Sequence, residues 1–204
     1  MNTLAQTTFA DLLGSISART PAPGGGAAAS AVGALGAALG GMVMGYSDRS
    51  AGCDADREAL AGAGRTMQRA QGLLLALAQE DADAYALVTE LKKLDQGDLR
   101  REQLSAAQAA SLQAPIAVIA VSIDLLRLFQ DVAPRSNTWM LSDLAIAAIL
   151  ADATVRASAW MVAANLPGHA DRAEASRIDV SCRATLAESA DRLARIESAC
   201  RIRG

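Results

Sequence analysis

Aromatic residues make up only 3% of this 204-residue chain, although 51% of it is hydrophobic. The core must therefore be aliphatic and rich in alanine. Such a core suits closely packed helices, because alanine has the highest helix propensity. Runs of β-branched residues are nearly absent, which argues against a sheet. The one histidine, His169, follows Pro167-Gly168 and neighbours no acid or nucleophile in a recognisable pattern. A Ser-His-Asp or Cys-His mechanism would rest on it alone, so it reads as a solvated loop residue. Cys53, Cys182 and Cys200 are odd in number and lack ligand spacing, so no disulfide framework or metal site is expected. They fit a reducing, cytoplasmic compartment. Net charge is −3 without a basic cluster, which sets nucleic acid aside as a partner.

Small residues are what the chain has in plenty. The run 20–47 carries no charge and is long enough to suggest a membrane span. However, Gly24-Gly25-Gly26 opens it and Gly33, Gly36, Gly40, Gly41 and Gly45 interrupt it. Most of the rest is alanine, which contributes little transfer energy. It is read as the central helix of a bundle, with no membrane partner and no signal peptide. Gly36 and Gly40, like Gly41 and Gly45, are four apart and share a helix face, where another backbone can approach closely.

Helical periodicity predicts helices over about 2–18, 24–46, 54–94, 99–132, 138–165 and 170–201. The stripe Phe9, Leu12, Leu13 and Ile16 would face inward from the first. Leu73, Leu74, Leu77, Ala84, Leu87, Val88 and Leu91 would do so from the third. Residues 47–53 form a loop, Gln96-Gly97-Asp98 a stop and restart, and Pro115 a kink or break. The expectation is a single all-α domain over 1–204, a bundle of five or six helices around a buried Ala/Gly-rich helix. The helices over 24–46 and 138–165 are apolar almost all round, more than one domain of this size can cover. A homodimer is therefore expected.

Arg19-Thr20-Pro21-Ala22-Pro23-Gly24-Gly25-Gly26 leads directly into the central helix. A Gly-rich turn at a helix start presents unpaired N–H groups at the positive end of the dipole, a seat for an anion. It also serves as a tight turn feeding a packing helix. Asp143 lies among Met140, Leu144, Ile146 and Ala147, where a carboxylate is desolvated and suited to proton transfer, or else sits at a helix N-terminus for dipole reasons. Asp81 and Tyr85, four apart, share a helix face, while Asp83 points elsewhere; on periodicity alone a solvated acidic patch over Glu80 to Asp83 is the simpler reading. Asn137 suits a helix cap, Asn165 a helix end, and Asp124 with Arg127 a structural ion pair.

These residues together resemble the cyclodeaminase/cyclohydrolase family. That family comprises the cyclodeaminase domain of formiminotransferase-cyclodeaminase and stand-alone methenyltetrahydrofolate cyclohydrolases. The resemblance rests on the glycine turn with its small-residue helix, then Asp81, Ala84 and Tyr85, then Ala114-Pro115. Asn137, Ser142 and Asp143 follow, and Asn165-Leu166 closes the series. It implies an all-α, dimer-forming bundle acting on a reduced folate that carries a one-carbon unit. The expected reaction is hydrolysis of 5,10-methenyltetrahydrofolate to 10-formyltetrahydrofolate. The alternatives are closure of 5-formiminotetrahydrofolate with loss of ammonia, or a non-catalytic helical binding bundle. Asp143 or Asp81 would shuttle protons, and Asn137 or Tyr85 would orient water or the pterin. Thr20, Pro23, Gly24, Gly25, Gly26, Ser142 and Asn165 would line the pocket. No metal or redox cofactor is required.

Overall fold

The computed structural model describes residues 4–94 and 97–201, and every regular element among them is helical. A short 3-10 turn over Leu4–Gln6 precedes helix α1, Phe9–Ser17. The expected start of that helix at residues 2 and 3 lies outside the described residues. Thr8 caps α1, its hydroxyl accepting the Asp11 amide at 3.1 Å. Contrary to the expected inward stripe, α1 buries nothing: Phe9 and Leu13 are 61% and 51% exposed.

Helix α2, Gly25–Ser47, is flanked by α3, Asp54–Lys93, and by α6, Leu141–Asn165. Both neighbours run antiparallel to it. A methyl group at Gly33 would lie 2.9 Å from Thr154 of α6 and 3.2 Å from Leu74 of α3. One at Gly36 would lie 3.1 Å from the Ala147 carbonyl. These glycines let helix axes approach; among the described residues none has a positive φ. Their use is the missing Cβ rather than left-handed backbone.

The predicted fourth helix is two helices, α4 over Asp98–Ala110 and α5 over Gln113–Val132, broken at Ser111-Leu112. Pro115 falls in the first turn of α5, where its missing N–H costs nothing. Helix α5 packs on α3 and α6, and α7, Arg172–Arg201, lies across α5 and α6. The core is aliphatic around a single ring, with Val43, Met44, Leu60, Met67, Leu74, Leu126, Phe129, Leu144 and Ile196 all at most 1% exposed. On α3 the buried seam runs Leu60, Ala63, Met67, Leu74, Leu77 and Ala78 and then stops. Leu73 and Leu87, expected inside, are 48% and 53% exposed, because the neighbouring helices cover only one side of so long a rod.

By length and composition alone, segments within Gly25–Ser50, Leu99–Arg135 and Thr138–Gly168 could cross a membrane, with mean hydropathies of 1.4 to 1.8. About half of each such window is buried inside the bundle.

Gly40 reports on how tightly this core is closed. A methyl group there would lie 2.4 Å from Phe129 Cε1 and 3.1 Å from Met67 Sδ, both side chains being fully buried. Gly40→Ala is expected to cost about 1–3 kcal/mol by overpacking. Gly72→Ala, with nothing within 4 Å, should gain up to about 1 kcal/mol from helix propensity. Thermal melts of the two variants check this, and equal melting temperatures would show that Phe129 yields freely.

Candidate functional site

The glycine turn and Asp81 meet. Asp81 lies just past the last buried turn of α3, and its carboxylate occupies the space that only a glycine at 26 leaves open. A Cβ on Gly26 would sit 2.0 Å from Asp81 Oδ2 and 2.3 Å from Cγ. Burial pushes the Asp81 carboxyl above the ordinary carboxylate range. The nearby helix N-terminus favours the charged form, but desolvation outweighs it. No hydrogen bond holds the carboxylate among the described residues, so both its oxygens are available to a ligand.

Helix α2 begins beneath this carboxylate. Gly24 is the N-cap without a side-chain hydrogen bond, and the first intrahelical bond is Ala28 N–H to the Gly24 carbonyl at 3.0 Å. The amides of Gly25, Gly26 and Ala27 precede it and have no acceptor of their own within the helix. Gly25 is open on its outer side and faces Met161 of α6, whose Sδ would be 3.4 Å from a methyl group there. Asn165 ends α6 one turn beyond Met161, and Tyr85 stands one turn beyond Asp81, 51% exposed. Thr20 is exposed and Pro23 half-buried in the turn leading in. Thr20, Pro23, Gly24, Gly25, Gly26, Asp81, Tyr85 and Asn165 therefore share one end of the bundle.

Asn137, Ser142 and Asp143 do not. The Asn137 amide donates to Ser47 Oγ at 2.9 Å, at the far end of α2. That is about 30 Å from Gly26 along the helix at 1.5 Å per residue. Asn137 acts as a cap, its Oδ1 accepting the Trp139 amide at 3.0 Å, and its Nδ2 donates to Ser50 Oγ at 3.3 Å. Ser142 is exposed, and Asp143 is half-buried in the first turn of α6 rather than sealed in apolar surroundings. The buried carboxylate of α6 is Asp152, which accepts from Ser189 Oγ at 2.7 Å and pairs with Arg156 at 3.8 Å. It is fully engaged in joining α6 to α7.

At that far end α2 and α3 leave a cleft of about 380 Å³ lined by Ala38, Gly41, Gly45, Asp48, Gln68 and Gln71 among others. Asp48 Oδ1 is buried there with no hydrogen-bond partner. Sequence reasoning passed over this residue. Its signal was a carboxylate at the C-terminal end of a helix, where the dipole opposes it, closing a long uncharged run.

The remaining candidates are structural. His169 Nδ1 is 2.9 Å from the Asp171 carbonyl in a loop. Arg127 joins Asp124 at 2.8 Å and Glu188 at 2.9 Å. Burial pushes the Cys182 and Cys200 thiols up, which makes them poor nucleophiles. No group of three or more metal-binding side chains occurs among the described residues.

The family model described as formiminotransferase-cyclodeaminase matches residues 8–184. A methenyltetrahydrofolate cyclohydrolase of Methylorubrum extorquens is 29% identical over 177 residues, 81% of this chain and 82% of its own. In three dimensions the chain is similar to a formiminotetrahydrofolate cyclodeaminase of Thermotoga maritima, with a TM-score of 0.89, 24% identity, and coverage of 97% of this chain and 98% of the other. That likeness concerns the fold.

Proposed function

Since the chain belongs to the formiminotransferase-cyclodeaminase family, we propose that it hydrolyses 5,10-methenyltetrahydrofolate to 10-formyltetrahydrofolate. The observation that carries the proposal is the Asp81 carboxylate, raised in pKa by burial and packed against the Gly26 backbone. The methenyl bridge is a cationic amidinium whose carbon is the electrophile. Water adds to it and loses a proton, and the C–O bond forms. The adduct then breaks its C–N5 bond as N5 takes up a proton and the hydroxyl gives up its own to form the formyl carbonyl. One proton is released overall. A desolvated carboxylate beside the cation stabilises it and passes the proton from water to N5.

Within one protomer this role falls to Asp81. Tyr85 orients the pterin or the water, and Thr20, Pro23 and Asn165 border the pocket. The free amides at Gly25 and Gly26 hold a pterin carbonyl or a glutamate-tail carboxylate. The reaction is a hydration with no change of oxidation state, so it calls for no redox cofactor. We further read the enzyme as cytoplasmic and as a homodimer closed over the outer faces of α2 and α6. A monomer mass in gel filtration at micromolar concentration would contradict the dimer.

The wild type is tested on methenyl- and formimino-tetrahydrofolate separately, by absorbance loss above the spontaneous rate and by ammonia release. Methenyl loss alone supports the cyclohydrolase. Ammonia release alone assigns the chain to cyclodeamination. Folate binding without turnover leaves a binding bundle. Retention of turnover by both Asp81→Asn and Asp143→Asn would remove the carboxylate role.

A further inference from the structure

The glycines of α2 differ in what they do. Gly33, Gly36 and Gly40 are required by packing, since a methyl group on any of them would press on α3, α5 or α6. Gly41 and Gly45 are not: a methyl group at either would touch nothing within 4 Å. Glycine inside a helix without a packing reason costs helix stability. What these two do is hold open the cleft of about 380 Å³ between α2 and α3. Ala38 extends it along α2, and Ala61 and Gly64 line it from α3. Pockets for small organic ligands run from about 300 to 1,000 Å³, so the cleft has room for one.

The cleft is also negative. Asp48 is the one ionisable group among the described residues that line it, and no Lys or Arg is there to offset the charge. Its Oδ1 is closed off from water and has no hydrogen-bond partner. Asp48 follows the last turn of α2, where the helix dipole opposes a negative charge. An unpaired buried acceptor and an adverse dipole are both costs, and they fall beside the two glycines that packing does not need. Departures of this kind collect where a chain is built to bind something. On the α3 wall Gln68 and Gln71, three apart on one helix face, bring two amide groups to the same cleft.

We propose that the Asp48 cleft is a binding site for an organic cation with a flat amidinium or guanidinium head on a small apolar body. The carboxylate calls for a cation, and two parallel N–H groups match its two oxygens. A turn about the Asp48 Cβ–Cγ bond brings Oδ1 out of its closed position to meet the second of them. Met44, Leu60 and the alanines give the body an apolar lining. With no side chain at 41 and 45, a flat ring can lie directly on the α2 backbone. The site stands at the opposite end of α2 from Gly26 and Asp81 and is lined by α2 and α3 alone. It rests neither on the folate reading nor on a second subunit.

Benzamidine is the probe, with neutral benzamide, of the same shape, beside it. In titrations followed by amide chemical shifts, benzamidine is expected to move Gly41, Gly45 and Gly64 and to leave Gly25 and Gly26 in place. For so small a ligand the expected Kd is about 1 mM or tighter. Asp48→Asn should weaken binding by about tenfold or more. Gly41→Leu should abolish it by filling the cleft, and Asp81→Asn should leave it unchanged. Thermal melts check that each variant is folded; if Gly41→Leu is not, Asp48→Asn decides alone. Three results overturn the proposal: no binding of benzamidine to the wild type up to about 10 mM, equal binding of benzamide, or wild-type affinity in Asp48→Asn. Shifts at Gly25 and Gly26 that vanish in Asp81→Asn would place the probe in the other site and overturn it too. Turnover is not read, so a failure of the folate reading leaves the outcome untouched.

Discussion

Alanine at Gly26 is expected to lower turnover of methenyl-folate by about 10²-fold or more while leaving the helical fold intact. The new Cβ would stand 2.0 Å from Asp81 Oδ2 and 2.6 Å from Oδ1, so the carboxylate has to leave. It has no hydrogen bond to hold it, and rotation toward solvent relieves the burial that raises its pKa. The helix itself gains about 0.5–1 kcal/mol from replacing glycine. Stability should therefore hold or rise while catalysis fails, which is the opposite of what a buried structural glycine such as Gly40 predicts. Removal of a positioned acid or base costs about 10²–10⁴ in rate, and the loss should fall on kcat. Gly25→Ala meets only Met161 Sδ at 3.4 Å, an ordinary contact, and should cost far less. Steady-state kinetics with circular-dichroism melts of both variants decide the matter. A Gly26→Ala enzyme at wild-type rate would show that the Asp81 carboxylate works from some other position.

Much of the bundle was readable because composition and periodicity agree. Helix α2 was expected over 24–46 and spans Gly25–Ser47, and the break expected at Pro115 falls just before it, at Ser111-Leu112. Which side of a helix faces inward was harder to read. Leu73 and Leu74 are equally apolar in sequence, yet only Leu74 is buried, since the choice belongs to the helices that arrive against α3. The site followed the same rule. The glycine turn and Asp81 were each visible, but their contact joins positions far apart in sequence and arises from antiparallel packing of α2 on α3. A carboxylate within an apolar run pointed to Asp143, while the same signal fits Asp152, which is the buried one. What separates them is the approach of Ser189 on α7, and no local pattern encodes that. Asp48 passed unnoticed because a charge closing an apolar helix looks like an ordinary end.

Asp81→Asn is expected to be both the slowest variant and a more stable protein near neutral pH. The rate loss, about 10²–10⁴, follows from removing the group that takes the proton from water. The stability gain follows from linkage. Burial raises the folded-state pKa of Asp81 above its ordinary value of 3.8, so the folded protein holds this proton more tightly than the unfolded chain. Unfolding stability therefore falls as pH rises from about 3.8 through the raised folded value, and then levels off. Above that window the ionised carboxylate carries its full desolvation cost, and below it none. Asparagine has the same shape and no charge, so the variant should match the wild type at the acid end of the window and exceed it above. The carboxylate keeps part of its surface in water, which screens the cost, so the expected rise in melting temperature is at most a few °C, about 1 kcal/mol moving a protein of this size by roughly 2–4 °C. Urea titrations of both proteins at several pH values between about 4 and 8 measure the difference directly. A stability difference that stays constant with pH would mean that Asp81 is not desolvated. A variant less stable than the wild type near neutral pH, with the deficit vanishing as pH falls, would mean that the carboxylate is held in the charged form by a cationic partner, reversing the assignment of Asp81 as the proton carrier.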